Sequence, residues 1–515
     1  MGLWLVSSLL FLSTQSIGNI AIKAYLYKAK THKKMKTIND LKPQELWARF
    51  KDICDIPHPS GKEGKIGAFL MDFAQKHGLQ AEMDEVGNVL IRKKAAKGRE
   101  SAPSVLLQAH MDMVCEKNAG TEHDFDNDPI RTIVEGDWLK AQGTTLGADD
   151  GIGVAAMLAV LESNTIQHGP LECLITVDEE RGLTGAQHVK AGWLQSKRLI
   201  NLDSEEDGRF CIGCAGGIDT VASFDLKRVA APQGAFFLNI FVKGLQGGHS
   251  GDDINKGRGN AIKILARFLW NESKKYPIHL CRIEGGNLHN AIPREAHATL
   301  CIDWNKKEEI RVALNHYIST IEAEYPTEKE LVIDLESTNA EEQVYEQEGA
   351  NRLISALYAC PHGVIEMSTE IEGLPETSTN LASIKEKEGK FIVATSQRSS
   401  TNSKKHDIKD RVEAVFALAG ASVKHSDGYP GWKPNMNSEL KNIVAGSYER
   451  LFGEKPVVGA IHAGLECGLI IEKYPDMDMI SIGPTIIGNH SPAERCEIPT
   501  VEKFWKHLID VLEKI

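Results

Sequence analysis

Five stretches of this sequence carry histidines and acidic residues of the kind that bind divalent metal ions. Imidazole nitrogen and carboxylate oxygen are common ligands of zinc and related ions. In the first stretch His110 and Asp112 stand two apart at the end of an apolar run, so in a strand they would share one face. The stretches are QAHMDMV, TTLGADDGIG, ITVDEERG, INLDSEE and GNHSPAER. Taken alone, each has a simpler structural explanation; taken together, they predict a metal site that needs no cysteine.

Two of these stretches place carboxylates side by side. Asp149 and Asp150 precede an apolar helix, and a role as helix N-cap explains only one of them. Residues 178–180, all acidic, repel one another at a strand end unless cations neutralise them. Asp203 ends another strand, and His490 lies in a loop near the C-terminus. Two histidines with three or four acids suit two metal ions, about 3.5–4 Å apart with one shared carboxylate, better than one closed zinc site.

Short apolar runs alternate with helical patterns before residue 216. The runs SVLLQAH, LECLITVDEE and RLINLDSEE end in histidine or acidic residues, whereas ELWARFKDICDI and IGAFLMDFAQKHG have helical periodicity. Continuous apolar runs are typical of buried strands in an α/β sheet. Ligands gather at the carboxyl ends of such strands, so the sequence predicts that these polar ends meet.

The pattern changes after CAGGIDT and returns after GYPGWKPN. FFLNIFVKG, EAHATLCIDW, ELVIDLES and KFIVATSQRSS are strand-like, with helices such as NAIKILARFLWNES between them. We therefore predict an α/β catalytic domain in two segments, 35–215 and 433–515, with a mixed central sheet flanked by helices. An α+β lid domain, 216–432, is predicted to be inserted between the two segments.

Composition limits the classes of function. The chain has 515 residues, a hydrophobic fraction of 42% and a formal net charge of −12. A nucleic-acid-binding surface would need a basic stripe, so nucleic acid is not an expected partner. Ten cysteines without disulfide-like spacing favour a reducing cytoplasm.

The first 34 residues differ from the rest. LWLVSSLLFL is too short for a membrane span, which needs about 20 apolar residues. A signal peptide has a positively charged region before its apolar region, but no Lys or Arg precedes this stretch. Because Met35 opens an ordinary soluble start, we predict that residues 1–34 are an upstream extension, with a translation start at Met35 as one reading. Export by a genuine leader is the alternative.

Eight motifs together resemble the M20 family of metallopeptidases, and within it the aminoacyl-histidine dipeptidase branch. The resemblance runs from about residue 35 to the end, on HMDMV, GADDGIG, DEERGLTGA, NLDSEE, GGHSG, NAIPREA, HAGLECG and NHSP. It implies hydrolysis of dipeptides with a free amino terminus, of the Xaa-His type and more broadly, by a metal-bridging water. It also implies a cis peptide bond between Asp149 and Asp150.

The same resemblance implies roles for individual residues. One metal is expected on His110, Asp149 and Asp203, and the other on Asp149, Glu180 and His490. Asp112 is expected to orient the His110 imidazole, and Glu179 to act as general base. The metals are expected to be zinc, with manganese or cobalt as alternatives.

The inserted domain carries further expected substrate contacts. The resemblance implies that His249 stabilises the oxyanion, that Asn290 and Arg398 bind substrate and that Gly464 offers a backbone contact. Arg398 would bind the carboxyl terminus of the peptide as a two-pronged donor. Small peptides are the expected partners, with a homodimer formed through the lid domain and no membrane.

Two kinds of alternative remain open at this point. A tripeptidase, an aminoacylase or a desuccinylase would use the same metals on the same scaffold. A metal-dependent peptide-binding protein without catalysis is the alternative of another class, although Glu179 beside Glu180 argues against it.

Overall fold

The computed structural model describes residues 36–515, so the predicted extension at residues 1–34 lies outside the described residues. Eleven α-helices follow one another in this range: α1 Gln44–Cys54, α2 Gly64–Lys76, α3 Ala148–Glu162, α4 Thr184–His188, α5 Ala261–Ser273, α6 Lys307–Glu324, α7 Gln347–Ala359, α8 Asn402–Leu418, α9 Glu439–Phe452, α10 Glu466–Lys473 and α11 Ile498–Lys514. Short 3₁₀ turns lie at Ile38–Asp40 and Trp304–Lys306.

The strands of the same range are β1 Gln80–Met83, β2 Val89–Lys93, β3 Val105–His110, β4 Thr132–Glu135, β5 Trp138–Ala141, β6 Leu171–Thr176, β7 Arg198–Asn201, β8 Arg209–Cys214, β9 Gly216–Phe224, β10 Arg228–Ala230, β11 Phe236–Lys243, β12 Gly248–His249, β13 His279–Gly285, β14 Ala291–Ile292, β15 Ala296–Ile302, β16 Val332–Ser337, β17 Gln343–Tyr345, β18 Gly363–Met367, β19 Pro375–Lys387, β20 Lys390–Ser399, β21 Ser422–His425, β22 Val457–Ile461, β23 Asp478–Ser481, β24 Ile486–Ile487 and β25 Arg495–Glu497. No helix among residues 36–515 combines the length and apolar character that a bilayer crossing requires.

An eight-stranded mixed sheet positions the acidic strand ends. Its strand order is β1-β2-β6-β3-β7-β23-β8-β22; the four central strands β6, β3, β7 and β23 are parallel to one another, and β2 and β8 pair antiparallel on either side of them. Strands β3 and β6 are buried along their whole length, as their continuous apolar runs predicted. The mixed sheet with flanking helices confirms the predicted α/β class.

A second, nine-stranded antiparallel sheet draws all its strands from residues 216–425. Its order is β16-β11-β15-β13-β19-β20-β9-β21, with β18 paired to β19. The two sheets have separate hydrophobic cores, one from residues 38–214 and 432–515 and one from residues 222–416. This division agrees with an inserted unit, while the boundaries 215 and 432 stay predictions.

Two chain crossings connect the sheets and pair with each other. The outgoing strand ends at Cys214, the returning chain passes Trp432, and bridges join Cys214 to Trp432 and Gly217 to Tyr429. A Cβ on Gly217 would lie 2.7 Å from the Tyr429 ring, so this close approach requires glycine.

A small four-stranded sheet joins the two segments beside the acidic strand ends. Its order is β24-β25-β5-β4. The loop between β24 and β25 contains His490, and β5 leads into the turn that carries Asp149. Pairing of β25 with β5 therefore brings two loops together from positions about 350 residues apart in sequence.

Candidate active site

His110 faces two carboxylates at the end of β3. Its Nε2 atom lies 3.1 Å from Asp149 Oδ1 and 3.5 Å from Asp203 Oδ1. The histidine is 1% exposed. Strand β7 leads directly to Asp203, and α3 begins around Asp149, so three elements supply this group.

A second histidine faces the other oxygen of Asp149. His490 Nε2 lies 2.9 Å from Glu180 Oε2 and 3.6 Å from Asp149 Oδ2. Ligand atoms of His110, Asp149 and Glu180 all lie within 4.8 Å of one another. Asp149 therefore stands between the two histidines with one oxygen directed to each, the arrangement that a bridging ligand requires.

The carboxylates of this cluster suit binding to cations, and no lysine or arginine of the described chain provides the positive charge. Within residues 36–515, no Lys or Arg forms an ion pair with Asp149, Asp203 or Glu180. Burial raises the pKa of Asp203 to about 7. Burial also opposes ionisation of Asp149, but its contacts with His110 and His490 hold the Asp149 pKa below its ordinary value. Two divalent ions would compensate these buried charges, which fits a dinuclear centre.

The backbone around these residues is specialised. The peptide bond between Asp149 and Asp150 is cis, as the family resemblance implied. His490 adopts a left-handed backbone with φ of 59°. Non-glycine residues rarely adopt this conformation, and such residues cluster at functional sites.

Asp112 contacts both His110 and the acidic turn after β6. The His110 Nδ1 atom lies 3.0 Å from the main-chain carbonyl of Asp112 and 3.5 Å from its carboxylate. The Asp112 carboxylate accepts the amide N–H groups of Glu179 and Glu180 at 3.0 and 3.4 Å. Burial opposes its ionisation, but the contacts with His110, the Glu179 amide and Ser60 together outweigh burial and lower the pKa of Asp112 to about 2. The residue thus contacts both the imidazole and the turn, as a residue that orients a metal-ligating histidine would.

Glu179 and Glu180 project to different partners from this shared anchor. The Glu180 carboxylate reaches His490, whereas no hydrogen bond of the described chain is made to the Glu179 carboxylate. Burial raises the pKa of Glu179, and the nearby Asp203 and Glu466 add to the effect, with His110 opposing. An unpaired carboxylate with raised proton affinity has the chemistry of a general base.

Glu494 is a site residue that the sequence reasoning missed. Its carboxylate accepts the backbone N–H groups of Leu146, Gly147 and Ala148 at 2.7, 3.1 and 2.8 Å, and that of Asp149 at 3.5 Å. It is 3% exposed. The motif GNHSPAER already contains Glu494, but its partners are backbone groups, so no residue-type pattern indicated them.

Two further polar contacts support the cluster. Asn489, also missed, donates from Nδ2 to Asp149 Oδ2 at 2.9 Å. Glu466 is fully buried and accepts from Thr176 Oγ1 at 2.7 Å and from Gln108 Nε2. Its other oxygen has no hydrogen-bond partner in the part of the chain that the structure describes.

The predicted substrate residues form two groups. In one, Arg398 of β20 donates from Nη1 to Tyr429 Oη at 2.9 Å, and Gly464 lies against the same ring, where a Cβ would be 2.8 Å from Tyr429. In the other, His249 of β12 lies beside Asn290, whose carbonyl accepts the Ser250 N–H at 2.8 Å.

No direct contact joins these groups to the metal-ligand candidates. Among residues 36–515, no hydrogen bond or ion pair links His249, Asn290, Arg398 or Gly464 to His110, Asp149, Glu180, Asp203 or His490. His249 instead pairs with Asp252 at 3.2 Å. The neighbouring His462 hydrogen-bonds to Ser378 Oγ at 2.7 Å, a structural contact.

Comparisons with known proteins agree with this geometry. The model of peptidase family M20/M25/M40 matches residues 106–514. The cytosol non-specific dipeptidase of Escherichia coli K12 is 42% identical over 482 residues, which cover 93% of this chain and 99% of that protein. The crystal structure of aminoacylhistidine dipeptidase from Vibrio alginolyticus superposes with a TM-score of 0.87 at 44% identity, over 95% of this chain and 99% of that one. Aminopeptidase PepT from Bacillus cereus, with a TM-score of 0.53 at 16% identity, over 92% of this chain and 99% of that one, shares the fold.

Proposed function

The chain belongs to the M20/M25/M40 peptidase family, and from that premise we propose that it is a metal-dependent dipeptidase acting on peptides with a free amino terminus. One observation carries the proposal. Asp149 directs one carboxylate oxygen to His110 and the other to His490, and Glu180 and Asp203 complete the two sides. This arrangement fits two metal ions that share a carboxylate. The two dipeptidases to which the chain is similar support the substrate class.

The side chains have distinct roles in the proposed reaction. His110, Asp149 and Asp203 would hold one ion, and Asp149, Glu180 and His490 the other. When bound, the ions supply positive charge that acidifies water and polarises the peptide carbonyl. Glu179 accepts the proton of the attacking water and later delivers it to the leaving amine. Asp112 holds His110 and the acidic turn in a fixed relative orientation.

The substrate contacts belong to the same proposal. Arg398 binds the carboxyl terminus of the peptide, and Asn290 contacts the peptide from the lid. His249 stabilises the oxyanion, either in its own chain or across a dimer, and Gly464 contacts the peptide through its backbone. We propose zinc as the native metal and a homodimer formed through residues 216–432. We also propose a cytoplasmic location, and the name of the Escherichia coli relative supports this location.

One experiment separates this function from its alternatives. Purified protein is analysed for metal content and assayed on dipeptides, tripeptides, N-acetylated amino acids and N-succinylated substrates, before and after chelation. We expect about two metal ions per chain, hydrolysis of free dipeptides, loss of activity on chelation and recovery with zinc.

The other outcomes point to specific corrections. Full activity in a verified metal-free sample would refute metal dependence. Preference for tripeptides or acylated amino acids would reassign the substrate within the family. Peptide binding without turnover in the metal-loaded protein would favour the alternative of a metal-dependent peptide-binding protein without catalysis.

A further inference from the structure

Arg398 is a buried cation without a carboxylate partner. Its residue is 7% exposed, and no ion pair to it occurs among residues 36–515. The Nε atom is buried and has no hydrogen-bond partner. Asp252, whose charge interacts with Arg398, pairs instead with His249. An unpaired guanidinium is costly to bury, so its free N–H donors suit the binding of an anion.

Tyr429 makes the one side-chain hydrogen bond to Arg398 in the described chain. Its phenol oxygen accepts from Nη1 at 2.9 Å. A phenol is neutral, so it holds the guanidinium without consuming its positive charge. A carboxylate in the same place would neutralise Arg398 and compete with the substrate. Once one Nη is held, the planar fork is fixed, and the edge that contains Nε stays unpaired.

The phenol itself is held from several sides. The Tyr429 main chain exchanges hydrogen bonds with Gly217, at 2.8 Å from its N–H and 3.1 Å to its carbonyl. Lys405 donates to the Tyr429 carbonyl. The ring lies against Gly217 and Gly464, where a Cβ would approach to within 2.7–2.8 Å. The hydroxyl therefore stands at a fixed point where the crossing chains meet.

We infer that Tyr429 is a positioning residue for Arg398 and, through it, a determinant of specificity for a free carboxyl terminus. This inference rests on the proposed function, in which Arg398 binds the substrate carboxylate. By occupying Nη1, Tyr429 directs the Nε edge of the guanidinium to the carboxylate. Tyr429 itself does not touch the reacting atoms.

The test compares a dipeptide with its carboxyl-terminal amide in Tyr429→Phe. The substitution removes the hydroxyl and keeps the ring against Gly217 and Gly464. We expect KM for the free dipeptide to rise about tenfold, the value of one hydrogen bond to a charged group, with kcat nearly unchanged. Parameters for the amide should stay as in the parent protein. Tyr358→Phe, at a phenol stacked on Trp270 in the lid, is the matched control and should change neither substrate.

A second measurement covers the case in which the amide is not hydrolysed. Inhibition constants of the product amino acid and of its amide are compared in the same variants. Tyr429→Phe should weaken only the acid. An equal loss for acid and amide, or no loss, would overturn the inference.

Arg398→Met separates this inference from the proposed function. Acid-specific loss in Arg398→Met without such loss in Tyr429→Phe overturns the role of Tyr429 alone. Absence of acid-specific loss in Arg398→Met refutes the carboxylate contact itself, and the Tyr429 inference fails with it. Thermal midpoint and metal content, measured for every variant, show whether the fold and the metal site are kept.

Discussion

Adjacent glutamates at the end of β6 have different surroundings. The Glu180 carboxylate lies 2.9 Å from His490, whereas the Glu179 carboxylate has no hydrogen-bond partner in the described chain. Both amides donate to Asp112, and the two side chains then reach different surroundings. In the proposed mechanism the same residue type thus serves two tasks at neighbouring positions, one as ligand and the other as base.

Glu179→Gln and Glu180→Gln should therefore fail in different ways. Glu179→Gln removes the base and keeps the size, so both metals should stay while kcat falls about 10²–10⁴-fold. Glu180→Gln should lose metal, because a neutral amide is a poorer ligand than a carboxylate. Metal content beside kcat distinguishes them. Glu206→Gln, at an exposed neighbour of the site that pairs with Arg209, is the control and should be unchanged. Metal loss in Glu179→Gln with full metal in Glu180→Gln would reverse the two roles.

Two loops that are distant in the sequence are joined through Glu494. This carboxylate closes the turn at residues 146–149 by accepting its backbone N–H groups, four residues after His490 in its own loop. Asn489 of the same loop holds Asp149 Oδ2. Backbone N–H groups of residues 146–149 and the side chain of Asn489 therefore join the loop of His490 to the turn of Asp149.

Glu494→Gln should weaken metal binding with little change in fold. An amide cannot accept all the N–H groups of the turn and presents its own donors to them, so Asp149 would lose its support. We expect metal affinity to fall about 10–100-fold, measured by metal titration of the metal-free protein. Glu502→Gln, at an exposed carboxylate on α11, should titrate like the parent protein. Parent-like metal affinity in Glu494→Gln would mean that the turn at residues 146–149 keeps its shape without the Glu494 carboxylate.

At the scale of the whole molecule, helix α11 packs against both of the sequence segments that form the core of the eight-stranded sheet. Helix α11 lies against α9, and His507 is buried at this contact with 2% exposure. Its Nε2 donates to the Val444 carbonyl at 2.8 Å, and its ring stacks on Phe210 of β8. Burial lowers the pKa of His507 to about 4, so the folded protein keeps this imidazole neutral in mild acid.

Stability should consequently fall on acidification between about pH 6.5 and 4. In that window the unfolded chain binds a proton at His507 and the folded chain does not, so the free energy of unfolding decreases as pH falls, by about 1.4 kcal/mol per unit. Below pH 4 both states are protonated and the contribution levels off. His507→Gln should reduce this slope in denaturant unfolding across the window. His316→Gln, at an exposed histidine, should keep it. Equal slopes in all three proteins would contradict the prediction.

Residue types and their spacing in the sequence determined much of the site. Metal chemistry admits few ligand types, so His110, Asp149, Glu180, Asp203 and His490 were recognisable beside strand and helix signals, and the structure brings them together. The apolar runs before His110 and Asp203 likewise predicted strands β3 and β7, because a strand buried on both faces needs no alternation.

Only the tertiary structure decided which polar groups from distant segments of the chain contact each other. Glu494 binds backbone N–H groups, and every residue except proline has one, so nothing in the sequence singles out residues 146–149 as its target. Tyr429 meets Arg398 because two chain crossings pair at Gly217, and this contact depends on how the two sheets are joined. Local sequence patterns report local geometry and residue chemistry. Contacts between distant segments depend on packing, and packing is a property of the assembled chain.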